Sequence, residues 1–284
     1  MTTTTLPIRG EGRFSASDGT ELYERWWLPE RVAKATVLIV HGLGEHVGRY
    51  DRVAGELNAA GYAVFGYDHR GHGRSGGLRG YVDSFAKLVE DAATFLAHVR
   101  VRKPPQPIFI LAHSMGGTVV TTWAVTRAPD VRGLVLSSPG LKVADGFSPL
   151  VIAVGRWVSK VFPKAPTQKL SAQYVSRDPD VVRAYEKDPL VYHSGVRART
   201  GTEILDTMDR LHERLEQVTL PFLVLHGSQD KLTDCQGSRD LHARAASTDK
   251  TIHIYDGLYH ETLNEPERAQ VLSDLISWLD ARTG

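Results

Sequence analysis

In Ile108-Phe109-Ile110-Leu111-Ala112-His113-Ser114-Met115-Gly116-Gly117 an apolar strand runs without a linker into a small-x-Ser-x-Gly turn, and a helical pattern takes over at Thr118. A serine in such a turn is held with its hydroxyl exposed, and small residues are needed at 112 and 116 because the backbone crowds there. The N-terminus of the following helix aims free N–H groups at developing negative charge. Turns of this kind usually open on glycine. Ala112 is the smallest departure from that pattern, so the elbow is expected to survive it.

A serine hydroxyl at its free pKa is a weak nucleophile and needs a base, itself oriented by a carboxylate. On a strand–turn–helix elbow the chain order is serine, acid, histidine. Asp230 ends Phe222-Leu-Val-Leu-His-Gly-Ser-Gln-Asp230, just past an apolar run, and His260 follows the last such run in Asp256-Gly-Leu-Tyr-His260-Glu261. Ser114, Asp230 and His260 therefore fall at the carboxyl ends of strands, where an open parallel sheet places its ligand crevice. An oxyanion hole needs a second N–H besides that of Met115, from the loop after an early strand. In Val40-His-Gly42-Leu43-Gly44-Glu-His46 glycines flank Leu43 and let its N–H turn inward.

Other residues compete for these roles. Asp234 is a rival acid but reads as the cap of the next helix. His113 adjoins Ser114, yet neighbours in a strand-turn point in different directions, so packing or a structural hydrogen bond is expected of it. His69 and His72 in Asp68-His-Arg-Gly-His-Gly-Arg-Ser-Gly-Gly77 lack a third ligand and a glycine-rich helix entry, which favours a structural loop over a metal or phosphate site. Cys235 has no base motif and reads as a bystander. No metal and no cofactor are expected.

Outward from the elbow, short apolar runs at 35–40, 63–67, 133–136, 222–225 and 251–255 alternate with helical stretches at 84–102, 115–128, 236–246 and 266–282, the last with Pro266-Glu267 in its first turn. Runs apolar on both faces and bounded by Gly, Pro and Asp fit a parallel sheet covered on both sides. Residues 12–28 read as a β-hairpin turning at Asp18-Gly19. The result is a doubly wound α/β class. Between Pro139 and Pro221 about 80 residues pass without a strand, too long for a structureless loop, which predicts an inserted helical unit at 145–200 between core parts 1–144 and 201–284.

Composition narrows the function classes. With 34 Lys+Arg against 33 Asp+Glu the net charge is +1, leaving no excess of positive charge for a nucleic acid backbone. One cysteine excludes an internal disulfide and a CxxC metal site. The N-terminal Met-Thr-Thr-Thr-Thr-Leu-Pro-Ile-Arg lacks the apolar core of a signal peptide, and no run approaches the ~20 apolar residues of a membrane span. A cytoplasmic location is expected, compatible with peripheral membrane association.

His41-Gly-Leu-Gly-Glu-His-Val-Gly-Arg-Tyr50, the 68–77 segment, His113-Ser-Met-Gly-Gly117, His226-Gly-Ser-Gln-Asp230 and Gly257-Leu-Tyr-His-Glu261 together resemble the monoacylglycerol lipase family of α/β-hydrolases, most closely its bacterial, mycobacterial-type members. The similarity runs over nearly the whole chain, including Ser176-Arg-Asp-Pro-Asp-Val-Val182 and Asp188-Pro-Leu-Val191 in the insert. It implies the α/β-hydrolase fold with a helical cap, and hydrolysis of monoacylglycerols to glycerol and fatty acid through an acyl-enzyme, without a cofactor. Carried over, Ser114 is the nucleophile, His260 the base, Asp230 the orienter, and Leu43 and Met115 the oxyanion donors. Glu45 and Arg49 match positions near the glycerol end of the family's pocket, with a buried, loop-shaping ion pair as the alternative. Leu263 stands where some animal members carry a second histidine, which leaves the details of glycerol recognition open.

In Ser148-Pro-Leu-Val-Ile-Ala-Val-Gly-Arg-Trp-Val-Ser-Lys-Val-Phe162 the positions of Leu150, Val154, Trp157, Val158 and Val161 follow helical spacing. Such a helix either packs on the core or forms a lid. A lid would line an acyl tunnel with Leu150, Val154 and Trp157, offer an apolar patch to lipid, and keep Arg156, Ser159 and Lys160 on its wet face. A lysophospholipase or short-chain carboxylesterase with the same triad, an acyltransferase or haloperoxidase-like activity, and a non-catalytic lipid-binding relative are the competing functions. Monomer and homodimer are both compatible with the sequence.

Overall fold

The computed structural model describes residues 8–102, 106–144 and 149–283, with 149–152 described by their backbone only. Its eight strands are β1 (Arg9–Ser15), β2 (Glu21–Trp27), β3 (Ala35–Val40), β4 (Tyr62–Tyr67), β5 (Ile108–His113), β6 (Gly133–Ser137), β7 (Phe222–Gly227) and β8 (Lys250–Tyr255). They form one sheet in the order β1-β2-β4-β3-β5-β6-β7-β8. The β1–β2 and β2–β4 pairs are antiparallel and every later pair is parallel. This is the α/β-hydrolase arrangement, and the apolar runs of the sequence are its strands. The hairpin closes where expected: Gly19 takes a positive φ of 81° and the Asp18 carboxylate accepts the Thr20 N–H.

Strand residues alternate between two cores, one on each face of the sheet. Val37, Ile39, Phe109 and Leu111 meet the helices α1 (Asp51–Ala59) and α8 (Arg268–Asp280). Leu38, Val40, Ile110 and Ala112 face the opposite core, with α2 (Phe85–Arg102), α3 (Met115–Arg127) and α7 (Cys235–Arg244). Both faces being covered is why β3, β5 and β7 are buried at every position. Pro266 lies ahead of α8 rather than in its first turn, because the helix begins only at Arg268.

Among the described residues, three α-helices lie between β6 and β7: α4 (Pro149–Val161), α5 (Pro179–Lys187) and α6 (Ala198–His212). The helix α6 runs straight across position 200, where the insert was expected to end. It packs on α4 and also on α2 and α3, so it belongs to the insert and the core together. Its buried Met208 and Leu211 give it a core-facing stripe that outlasts the sequence boundary. No helix among the described residues is long and apolar enough to cross a membrane.

Candidate active site

The turn from β5 into α3 is the single residue Ser114, with φ 52° and ψ −119°. A non-glycine residue with positive φ is strained, and the surroundings over-determine it. The Ser114 N–H donates to the Ser137 carbonyl, while the Ser114 carbonyl accepts from Gly117, Thr118 and Gly140. Gly116 is required by contact: a Cβ there would lie 2.1 Å from the Val40 carbonyl oxygen. Ala112, by contrast, is fully buried and accommodated.

The loop after β8 brings His260 to this serine. Ser114 Oγ lies 2.9 Å from His260 Nε2, and His260 Nδ1 lies 2.7 Å from Asp230 Oδ2. Asp230 sits in the loop after β7. Its Oδ1 accepts the N–H groups of Leu232 and Thr233, and its Oδ2 accepts the Thr233 hydroxyl. His226 Nε2 stands 3.2 Å from the same Oδ2. Burial alone would raise the Asp230 pKa, but His260 and His226 outweigh it and hold the carboxyl far below its usual range. The same pairing works in reverse on His260. Burial depresses it, Asp230 more than compensates, and its pKa lies above the ordinary imidazole value.

Leu43 and Met115 flank the serine and line the same pocket, and among the described residues neither N–H has an intramolecular acceptor. The loop carrying Leu43 is pinned on both sides of it. Glu45 Oε1 accepts the Gly42 N–H at 2.7 Å and the Tyr50 hydroxyl at 2.9 Å, and the Gly44 carbonyl accepts the Tyr192 N–H at 2.7 Å. His46 Nε2 further reaches Asp188 Oδ2 at 2.8 Å.

Glu45 and Arg49 form a buried ion pair and also line the pocket, so the two readings of these residues are not exclusive. A third member is absent from the sequence reading: Glu261 takes Arg49 through two hydrogen bonds, Nη1 to Oε1 at 2.6 Å and Nη2 to Oε2 at 2.8 Å. The Tyr185 ring lies under the guanidinium at 4.7 Å. Burial raises the Glu45 pKa, but Arg49, His113 and the hydrogen bonds from the Gly42 N–H and the Tyr50 hydroxyl together outweigh it, leaving the carboxylate below its usual value.

The pocket above the serine encloses about 240 Å³. Its walls are largely apolar, with Val175, Val196, Leu205, Met208 and Leu232 among them. The expected acyl-lining residues of α4 are corrected here. Val154 and Trp157 do not line this pocket and are 52% and 62% exposed, whereas Gly155 and Arg156 line it and Ser159 is buried. The helix is rotated from the expected orientation: Gly155, Arg156 and Ser159 face inward, Arg156 pairs with Asp206 and Asp209 of α6, and the large apolar side chains Val154 and Trp157 face outward. The side chain of Leu150 lies outside the described residues.

The rival residues sit where their local chemistry puts them. Asp234 caps α7 by accepting the Gln236 N–H. His113 donates from Nδ1 to the Ser137 carbonyl and packs against His260. His41, His69 and His72 are buried together, His41 accepting the His69 N–H and His72 bonding the Arg70 carbonyl. Among the described residues no group of three or more His, Cys, Asp or Glu is disposed to hold a metal.

The family model described as serine aminopeptidase, S33, matches residues 31–267. A monoacylglycerol lipase of Mycolicibacterium smegmatis is 39% identical over 271 residues, covering 95% of this chain and 97% of that protein. A monoglyceride lipase of Rattus norvegicus is 35% identical over 269 residues, covering 94% and 89%. The crystal structure of a Paleococcus ferrophilus monoacylglycerol lipase superposes with a TM-score of 0.82 at 31% identity, covering 96% of this chain and 99% of that one.

Proposed function

The chain belongs to the monoacylglycerol lipase family of α/β-hydrolases, and on that footing we propose that it cleaves monoacylglycerols at Ser114 through an acyl-enzyme. The observation that carries this reading is the unbroken Ser114–His260–Asp230 hydrogen-bond chain at the floor of an apolar pocket with one polar end. His260 takes the Ser114 proton as Oγ attacks the ester carbonyl. The Leu43 and Met115 N–H groups receive the oxyanion, and Asp230 holds the imidazolium that forms. As the tetrahedral centre collapses, the bond to the glycerol oxygen breaks and His260 donates its proton to that oxygen. Water then enters, His260 removes its proton, and the resulting attack releases the fatty acid and returns the proton to Ser114.

The described part of the insert, residues 149–200, acts as a cap over the serine. The outward apolar face of α4 and the residue that follows it, with Trp157 62%, Phe162 60%, Val154 52% and Val161 50% exposed, serves as a peripheral contact with lipid. This is the surface through which a cytoplasmic enzyme would reach a membrane-borne substrate.

The test is fatty-acid release from a matched panel: medium- and long-chain monoacylglycerols, a diacylglycerol, a lysophosphatidylcholine and a short p-nitrophenyl ester, with Ser114→Ala as the blank. A kcat/KM preference for monoacylglycerol supports the assignment. Preference for the lysolipid or the short ester overturns the glycerol assignment while leaving the triad in place.

A further inference from the structure

The polar end of the pocket holds two carboxylates and a single guanidinium. Arg49 Nη1 donates to Glu45 Oε2 at 2.8 Å and to Glu261 Oε1 at 2.6 Å, and Nη2 donates to Glu261 Oε2 at 2.8 Å. Three of the five guanidinium N–H bonds are thereby spent, and one face of the group is covered by Tyr185. Glu45 and Glu261 are 4% and 6% exposed, so water screens this group poorly. Two carboxylates against one guanidinium leave one negative charge beside Ser114 and His260. The other guanidinium lining the pocket, Arg156, is likewise held by two carboxylates, Asp206 and Asp209.

We propose that Glu261 is a specificity-determining residue: by taking Arg49 bidentately it makes the leaving-group end of the pocket net negative, so that the site admits neutral polyol esters and rejects esters whose head group carries a phosphate or carboxylate. Without Glu261, Glu45 and Arg49 would balance, and the Nη1–Nη2 edge that Glu261 takes would be free to hold an anion bidentately. Glu261 thus works by repulsion, the second route to specificity beside favourable contact. Asn264, donating to Glu261 Oε2 at 2.8 Å, holds the carboxylate in place. The inference rests on the proposed monoacylglycerol activity, with the alcohol portion of the substrate taken to lie at this polar end of the pocket.

The experiment compares two matched pairs in wild type, Glu261→Gln and Glu261→Asp. The first pair is 1-octanoylglycerol against 1-octanoylglycerol 3-phosphate, below their micellar concentrations. The second is 4-nitrophenyl butyrate against 3-carboxy-4-nitrophenyl butyrate, which places a negative charge on a leaving group that is not glycerol. Labelling by a neutral fluorophosphonate certifies an intact site in each variant. Wild type and Glu261→Asp are expected to favour the neutral member of each pair by at least tenfold in kcat/KM. Glu261→Gln is expected to lose at least tenfold of that preference, chiefly through a lower KM for the anionic member. Equal handling of both members by wild type overturns the inference, as does a labelled Glu261→Gln that loses rate on both members in equal proportion. If monoacylglycerol is a poor substrate yet the nitrophenyl pair responds to Glu261→Gln, the glycerol assignment fails and the charge selection stands.

Discussion

Ser114 Oγ and His260 Nε2 are separated by 146 residues of chain and by 2.9 Å of space. The serine comes from the β5–α3 turn and the histidine from the loop after β8, so the contact exists only when β5, β6, β7 and β8 are paired in register. Replacing Ser114 with Ala removes the nucleophile without disturbing that pairing. Turnover should fall by about 10⁶, the order seen when a triad serine is removed, with the folded state unchanged by circular dichroism. Near-normal turnover in a clean preparation would end the acyl-enzyme mechanism.

The acid side of the pH–rate profile reports His260. The base must be neutral to accept the Ser114 proton, and its pKa is raised above the ordinary 6.5 by Asp230 against the opposing effect of burial. Activity should therefore fall as pH drops through an apparent pKa higher than 6.5. Asp230→Asn removes the carboxylate, so kcat should drop by about 10⁴ and the residual limb should move to lower pH. A limb that stays in place in Asp230→Asn would show that another group titrates there.

Much of this site was legible because each triad residue closes an apolar run with its own local turn: the small-x-Ser-x-Gly elbow at Ser114, the polar stretch ending at Asp230, and the loop after β8 at His260. Glu261 was not legible, since nothing near it in sequence announces a partner 212 residues away. The rotation of α4 was hidden for a related reason. Its apolar spacing marks a stripe but not which way that stripe faces, and the partners of Arg156, Asp206 and Asp209, lie on another helix. The short α1 was missed because Gly55 interrupts a nine-residue pattern whose buried stripe is only Val53, Ala54 and Leu57.

Gly116 and Ala112 make opposite predictions although both belong to the elbow. A methyl group on Gly116 would meet the Val40 and His41 carbonyl oxygens at 2.1 and 2.7 Å, backbone atoms that cannot swing aside. Gly116→Ala should lose about 1–3 kcal/mol of stability and with it several degrees of Tm, together with most activity. Ala112→Gly restores only the common residue and should keep the activity within a few-fold. Thermal melts and ester turnover of the two variants decide the matter.

Acid should loosen the fold before it protonates the triad aspartate. Burial holds His41 and His69 well below 6.5 and His72 down to about 4. Each is neutral in the native state and charged in the unfolded chain below 6.5, so the unfolded state binds more protons there. Stability is accordingly full above pH 6.5 and declines as pH falls toward 4, by roughly 3 kcal/mol from His72 alone. Urea midpoints measured between pH 7 and 4.5 should fall steadily. His72→Asn, which removes the titrating group, should flatten that slope, and an unchanged slope would assign the acid sensitivity elsewhere.

The outward face formed by α4 and Phe162 gives the last expectation. Trp157 and Phe162 are 62% and 60% exposed and do not line the pocket, so most of their apolar surface is left to solvent in the isolated protein. Burying such a side chain at a lipid interface contributes about 1.5–3 kcal/mol, or roughly ten- to a hundredfold in partitioning. Trp157→Glu and Phe162→Glu should therefore lose at least tenfold in activity toward monoacylglycerol embedded in phosphatidylcholine vesicles, with sedimentation of the protein with those vesicles reduced in parallel. Turnover of a water-soluble p-nitrophenyl ester should stay at the wild-type rate, because Ser114, His260 and the pocket walls are untouched. Equal losses on both substrates would place this face in the chemistry, and no loss on vesicles would show that substrate reaches the serine by another approach.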